Sequence, residues 1–312
     1  MTKMLAQRDY YGKALRELAQ RENVIVLDAD LAGSTKTLEF YKACPERFVE
    51  VGIAEQNMIG IASGLAAEGK TVFASTFGVF ASGRCWEQIR LGVAYPELNV
   101  KIVATHCGIS VGEDGASHQA LEDMSIMRSL PNMVVISPAD AYMTYAATLA
   151  IADYDGPVYM RLGRSPVPVI SEEEDIFEIG KARVLSEGSD VTLIGTGQLT
   201  HGCLKAAEEL RKEGISAEVI DVSTIKPLDG KTILGSVGKT GCAVTAEEHS
   251  IIGGLGSAVA ELLSEEYPAP LQRVGTRDMF GESGKPDELF VKYGLTSADI
   301  AEAARTSINK KR

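Results

Sequence analysis

Cysteine, basic residues and long apolar runs are all scarce in this chain. The five cysteines (Cys44, Cys85, Cys107, Cys203, Cys242) are odd in number, far apart and never spaced as a CxxC pair. That excludes a disulfide framework or a structural zinc site as the organising device. Lys plus Arg number 31 against 43 Asp plus Glu, a formal charge of -12, which disfavours non-specific attraction to nucleic acid or to an anionic membrane. A phosphate-bearing ligand would have to be met by local basic groups. No stretch reaches the ~18 apolar residues of a membrane span, and the opening MTKMLAQRDYYGKALRELAQ lacks the continuous apolar centre of a signal peptide. A cytoplasmic chain is therefore expected. Internal repeats and low-complexity tracts are absent as well.

What is present is the composition of a globular protein, 45% hydrophobic and 24% charged, at a length that allows about two domains. Short apolar, β-branched runs (NVIVLDADL, TVFASTF, NVKIVATH, MVVISPA, PVYMRLG) alternate with helix-like segments such as YYGKALRELAQRE, MIGIASGLAAEG, SGRCWEQIRLGVAYPE and AYMTYAATLAIAD. This alternation predicts an α/β fold, a largely parallel sheet flanked by helices. The first domain is expected over 1–165. Residues 166–189, rich in proline and acid, read as a surface linker. A second, smaller α/β domain over 190–312 follows from DVTLIGTGQ, SAEVIDVST and GCAVTAEEH as strands with HGCLKAAEELRKEG and GGLGSAVAELLSEE as helices.

Two segments carry candidate chemistry. In VGIAEQNMIGIASGLAAEGKTVFASTFGVF an acid, Glu55, stands among Ile53, Ala54, Met58, Ile59 and Ile61. It reads either as an exposed carboxylate favoured by a helix N-terminus or as a functional acid. Phe77 and Phe80 follow the next strand and by themselves read as core. In THCGISVGEDGASHQALEDMSIMRSLPNMVVISPAD, His106 and His118 flank a glycine-rich, acid-bearing loop placed after a parallel strand, the usual ligand edge of an α/β sheet. GTGQLTHG (Gly195 to Gly202) lacks an acid at the distance of a dinucleotide motif and reads as fold punctuation. The EEH of Glu247, Glu248 and His249 reads as a boundary or interface feature rather than a metal site.

The segment from Gly52 to Phe80 resembles the pyrimidine-binding domain of thiamin diphosphate enzymes of the transketolase type. The resemblance covers nearly the whole chain, as that domain plus the family's C-terminal domain. It implies that Glu55 bonds to the aminopyrimidine of the cofactor. An apolar pocket is expected to raise its proton affinity, so that it shares a proton with the ring and favours the ylid. Phe77 and Phe80 would pack against the ring, with Asp30 and Leu31 also on the cofactor side. Asp114 and His118 match the pattern that contacts sugar hydroxyls, and His106 matches a histidine that helps to hold the substrate phosphate. Arg8, Ser34 and Arg164 match the donors to the sugar's terminal phosphate, supplying locally the positive charge that the chain lacks globally. His106 and His118 would also polarise substrate oxygens.

The resemblance has one departure and one missing half. Gly83 stands where many transketolases carry a further aromatic. GEDG (Gly112 to Gly115) is not followed by the paired asparagines of the family's metal-binding motif, so no metal ligands are assigned here. The resemblance therefore implies a separate N-terminal subunit that binds the diphosphate and Mg2+ or Ca2+, joined with this chain in a dimer of heterodimers. The implied activity is transfer of a two-carbon ketol unit from a ketose phosphate to an aldose phosphate, in the manner of the pentose phosphate pathway. A deoxyxylulose-phosphate synthase is disfavoured because that enzyme is normally one long chain. A beta subunit of a 2-oxo acid dehydrogenase has this length and architecture, but its loop does not usually read GEDGASHQ. A non-catalytic scaffold of the same fold is the remaining alternative.

Overall fold

In the computed structural model, which describes residues 3–311, the alternating pattern forms two parallel sheets. The first has seven strands in the order Thr224–Lys226, Val134–Ile136, Val158–Arg161, Val100–Thr105, Thr71–Phe77, Val24–Asp28, Phe48–Glu50. All neighbours run parallel except the edge strand Thr224–Lys226. Burial on both faces explains the continuous apolar runs: every residue of Thr71–Phe77 and Val100–Thr105 is buried. Lys101 lies in this interior, where its ammonium donates to the carbonyls of Tyr154 (2.7 Å) and Gly156 (2.6 Å). Burial lowers its pKa to about 7.

The second sheet has five strands, ordered Leu271–Thr276, Ala243–Ser250, Val191–Gly195, Ala217–Asp221, Arg183–Ser186, with only the last antiparallel. The amphipathic helices Leu199–Lys212 and Ser297–Ile308 cover one of its faces. Thr296 caps the latter helix reciprocally with Asp299.

The two units are more interwoven than the sequence pattern predicts. Residues 166–189 are not a plain linker. Pro166–Pro168 pairs antiparallel with Met4–Ala6, and Arg183–Ser186 is an edge strand of the second sheet. Arg183 anchors this crossing by donating to Asp175 and Ser171 within the segment and to Asp221 of the second sheet, a bond across 38 residues that no local periodicity encodes. Thr224–Lys226, far along the chain, completes the first sheet. Ile194, Ile220, Val222 and Ile225 consequently share one apolar cluster with Met124, Val135 and Tyr159. The segment read as a single helix from Ser82 is instead an α-helical turn, Trp86–Ile89, between π-helical turns at Phe80–Arg84 and Arg90–Ala94. Among the described residues, no helix is long and apolar enough to cross a membrane.

Candidate functional site

Parallel strands end on the same edge, so residues just beyond their carboxyl ends are brought together however far apart they lie in sequence. Phe77 closes one central strand, His106 follows its neighbour, and Arg164 comes three residues after Val158–Arg161. Asp30, Leu31 and Ser34 follow Val24–Asp28, and Glu55 opens the helix after Phe48–Glu50. Arg8 reaches this edge by a separate device. The pairing of Ala6 with Pro166 lays the start of helix Gln7–Leu18 beside Arg164, and Gln7 accepts from the Gly163 amide at 2.8 Å.

The aromatic centre of the cluster is tight. The Phe77 and His106 rings stack with centroids 3.8 Å apart, Phe77 and Phe80 lie 6.0 Å apart, and His118 meets Phe80 edge-on at 5.4 Å. His106 holds a left-handed backbone, φ 57°, a conformation costly for a residue with a Cβ and concentrated at functional sites. Its Nδ1 lies 2.9 Å from the Thr105 hydroxyl. Burial, with Arg8, Arg164 and His118 as nearby charges, lowers its pKa to about 3. The imidazole is therefore neutral at physiological pH and can present one N–H donor and one acceptor.

Glu55 is buried, 4% exposed, although it begins a helix. Its surroundings are not purely apolar, because Arg84 donates to its carboxylate at 2.6 Å. The π-helical turn at Phe80–Arg84 also sets the Arg84 guanidinium 4.5 Å from the Phe80 ring centroid. A side chain at Gly83 would point into open space, with no atom of the described residues outside its own helical turn within 4 Å of its Cβ position.

Other predicted residues are placed less closely. Asp114 is exposed, on the 3-10 turn Ile109–Asp114. His118 is half-buried, with Nδ1 2.9 Å from the Ser117 hydroxyl. Arg8 donates to the Ser34 backbone carbonyl at 3.0 Å, and Arg164 to the Val111 carbonyl at 2.7 Å while facing Glu113 at 3.5 Å. Asp30 is exposed with φ 62°, its amide donating to Glu50.

Sequence reasoning missed two organisers of the site and read a third only in part. Arg84 is one of the two, visible beforehand only as a cation near Phe80. Glu248 reads in the sequence as a boundary or interface residue, and its reach across to the Ser110 amide beside the site is what that reading does not specify. Asp28 is the other missed residue: fully buried, it accepts from the Leu31 amide (2.7 Å), Thr35 (2.6 Å) and Thr37 (2.8 Å), and so shapes the turn that carries Asp30, Leu31 and Ser34. Burial pushes its carboxyl up to about 6, against the opposing effect of those hydrogen bonds. Such a group contributes stability that is fully present below its unfolded pKa, near 3.8, and lost as pH rises through about 6. Between pH 4 and pH 7 the wild type should thus lose roughly 2–3 kcal/mol relative to Asp28→Asn. Urea unfolding of both proteins at the two pH values measures this, and a pH-independent difference would contradict it.

Residues 3–169 match the pyrimidine-binding domain of transketolase, and residues 180–300 match the transketolase C-terminal domain. The chain belongs to the transketolase family. A split-gene transketolase solved as an inactive β4 tetramer superimposes with a TM-score of 0.93 at 54% identity, covering 99% of this chain and 100% of that one. The 6-deoxy-6-sulfo-D-fructose transketolase subunit SqwH of Clostridium sp. (strain MSTE9) is 48% identical over 305 residues, 97% of this chain and 95% of the relative. A subunit of the apulose-4-phosphate transketolase of Phocaeicola vulgatus is 38% identical over 309 residues, 98% of this chain and 99% of the relative. This chain thus aligns end to end with the subunits of transketolases made as separate chains. Among the described residues, no group of three His, Cys, Asp or Glu side chains could hold a metal ion.

Proposed function

We propose that this chain, with a pyrimidine-binding domain over 1–165 and a C-terminal domain over 190–312, is one subunit of a thiamin diphosphate-dependent transketolase. It would move a two-carbon ketol unit from a ketose phosphate to an aldose phosphate, and only when joined to a separate N-terminal subunit. The observation that carries this reading is the gathering of one buried carboxylate, two phenylalanine faces and two histidines at a single sheet edge. A buried carboxylate beside aromatic faces fits an aminopyrimidine, which needs a hydrogen-bond partner at its rim and apolar contact on its faces.

In this reading Glu55 binds the ring and shares its proton, which requires Arg84 to release the carboxylate. Arg84 is 46% exposed and is readily resolvated when it turns outward. Phe77 and Phe80 exclude water from the ring, and Asp30 and Leu31 border it. The bound cofactor supplies the nucleophilic carbon and the electron sink for carbon–carbon cleavage. Neutral His106 can pass a proton to or from a substrate oxygen without itself carrying charge in the resting state, and His118 faces the same space. Asp114 selects hydroxyl configuration, while Arg8, Ser34 and Arg164 hold the terminal phosphate. Diphosphate and Mg2+ or Ca2+ fall to the partner subunit. The inactive state named for the β4 relative supports a division of labour between two chains.

The sugars named for the two subunit relatives differ, one a sulfosugar and one apulose 4-phosphate, so the test spans donors. The chain is co-purified with the product of a gene encoding a transketolase N-terminal section, then assayed with ketose phosphates, a sulfoketose, and pyruvate with a lipoyl acceptor. Ketol transfer from one or more sugars is expected, and Arg164→Ala should raise KM for a phosphorylated donor about 10- to 100-fold with little change in kcat. Turnover of pyruvate alone would establish the 2-oxo acid dehydrogenase reading instead, and absence of thiamin diphosphate binding in the pair would establish the scaffold.

A further inference from the structure

We infer that Glu248 and Gln198 of the C-terminal domain are positioning residues that clamp the loop carrying Asp114 and His118. The inference rests on the proposed reading of those two residues as sugar contacts.

The clamp is built where the carboxyl ends of the two sheets meet. Glu248 lies near the end of strand Ala243–Ser250 and Gln198 three residues beyond strand Val191–Gly195. The Glu248 side chain, in a residue only 4% exposed, accepts from the Ser110 amide at 2.6 Å. Gln198 donates to the Ser110 hydroxyl at 3.0 Å and also to the Glu248 carboxylate. Ser110 is thereby held at both its backbone and its side chain, four residues before Asp114. Gly108 makes the approach possible: its φ is 87°, and a Cβ there would stand 2.4 Å from the Glu248 carboxylate.

The C-terminal domain closes on the loop from a second side. Gln119 donates to the loop carbonyl of Ile109 (3.1 Å) and to that of Glu282 (3.0 Å), tying the loop to residues 281–284. A Cβ on Gly115 would meet the Ser283 hydroxyl at 2.6 Å. Ser110 and Gln119 bracket Asp114 and His118, whose own side chains have exposed or half-exposed surface and no bond into the protein core. Asp114 therefore takes its location from the clamp, His118 from the clamp together with its edge-on contact with Phe80, and Arg164, bonded to the Val111 carbonyl, follows the same loop. Misplacement of positioning groups by about 1 Å is enough to lower turnover by up to 100-fold. The buried carboxylate thus gives the C-terminal domain a role in the reaction although it contributes no group to the cluster at the sheet edge.

The test uses the chain assembled with its N-terminal subunit and the variants Glu248→Ala, Glu248→Gln and Gln198→Ala. Hydrogen–deuterium exchange in residues 108–120 is expected to accelerate in Glu248→Ala and Gln198→Ala, while residues 71–77 stay protected. KM for the sugar donor should rise about tenfold or more, with thiamin diphosphate affinity within about twofold of wild type because Glu55, Phe77 and Phe80 share no bond with the clamp. Glu248→Gln keeps an acceptor for the Ser110 amide and should recover most of the KM. Gln198→Ala, only half-buried, reads the clamp even where Glu248→Ala fails to fold. Unchanged exchange in 108–120, or a faster loop with unchanged KM, overturns the clamp. Cofactor affinity that falls in step with KM overturns it too, since a general loss of domain packing would then be the cause. A wild-type complex that turns over no sugar while the exchange difference persists overturns the transketolase reading and leaves the clamp supported.

Discussion

Replacing Glu55 by alanine is expected to lower turnover of the assembled enzyme by about 100- to 10,000-fold, the usual contribution of a positioned proton-transfer group, with the fold retained. The loss follows from burial and uniqueness. Glu55 is the one acid of helix Glu55–Ala67, buried and bonded to Arg84, whose guanidinium lies over Phe80 at the edge where His106 and His118 converge. The fold survives because the partner left behind, Arg84, is 46% exposed and can turn to water. No buried charge is orphaned, so the stability cost should stay within about 1 kcal/mol. Glu55→Gln sharpens the test, since the amide keeps the shape and a hydrogen bond but cannot exchange a proton at neutral pH. Thermal unfolding and turnover of both variants are measured in the complex with the N-terminal subunit. Turnover within about tenfold of wild type in either variant would remove Glu55 from the proposed cofactor site.

The largest stability effect is expected at Asp123. Its carboxylate is fully buried and accepts from Arg161 at 2.9 Å and from the Tyr159 hydroxyl at 2.8 Å. Arg161, 5% exposed, also donates to the carbonyls of Ala120 and Glu248, so this one cation joins both domains to the loop between Thr105 and Asp123. Asp123→Ala would leave the guanidinium in the interior without its counter-charge. Removal of one member of a buried pair costs about 3–5 kcal/mol, a large share of the 5–15 kcal/mol that holds a typical domain folded. Replacing both members by apolar residues, Asp123→Leu with Arg161→Met, should recover part of that loss, because no charge then remains to be desolvated. Urea unfolding of the isolated chain compares them. A cost for Asp123→Ala below about 1 kcal/mol would mean that water reaches Arg161 and that the pair is not the fastening it resembles.

The α/β class and the identity of the two sheets were legible because each is a local property. A strand buried on both faces is dominated by apolar residues, as Val72, Phe73, Ala74 and Phe77 dominate Thr71–Phe77, and a helix such as Leu199–Lys212 must alternate with a period near 3.6. Glu55, His106 and His118 could be picked out as candidates for a related reason, whereas Phe77 and Phe80 by themselves read as core and became candidates only through the family resemblance. Each of the three stands out against its own neighbours, either an acid beside apolar residues or a histidine near glycines at the end of a strand. The topology then carries them to one edge, because parallel strands must all end there. The extended pairing of Arg183–Ser186 and the return of Thr224–Lys226 to the first sheet were not legible. Both depend on partners 38 and 88 residues away, Asp221 for Arg183 and Ile136 for Thr224.

By itself, then, the sequence determined the fold class and singled out the candidate side chains proposed for a ligand, since periodicity and local contrast are written in neighbouring residues. Only the tertiary structure decided which side chains those groups meet. Arg84 on Glu55, the buried Asp28 under the Asp30–Ser34 turn, and Glu248 on Ser110 are pairings across 29, 3 to 9 and 138 residues. Charges and hydrogen bonds act over a few ångströms in space whatever the separation along the chain, and it is folding that sets those distances. The scarcity of positive charge shows the same division. Composition states only that cations are few, whereas packing brings Arg8 and Arg164 near His106 and uses Arg161 to fasten one domain to the other.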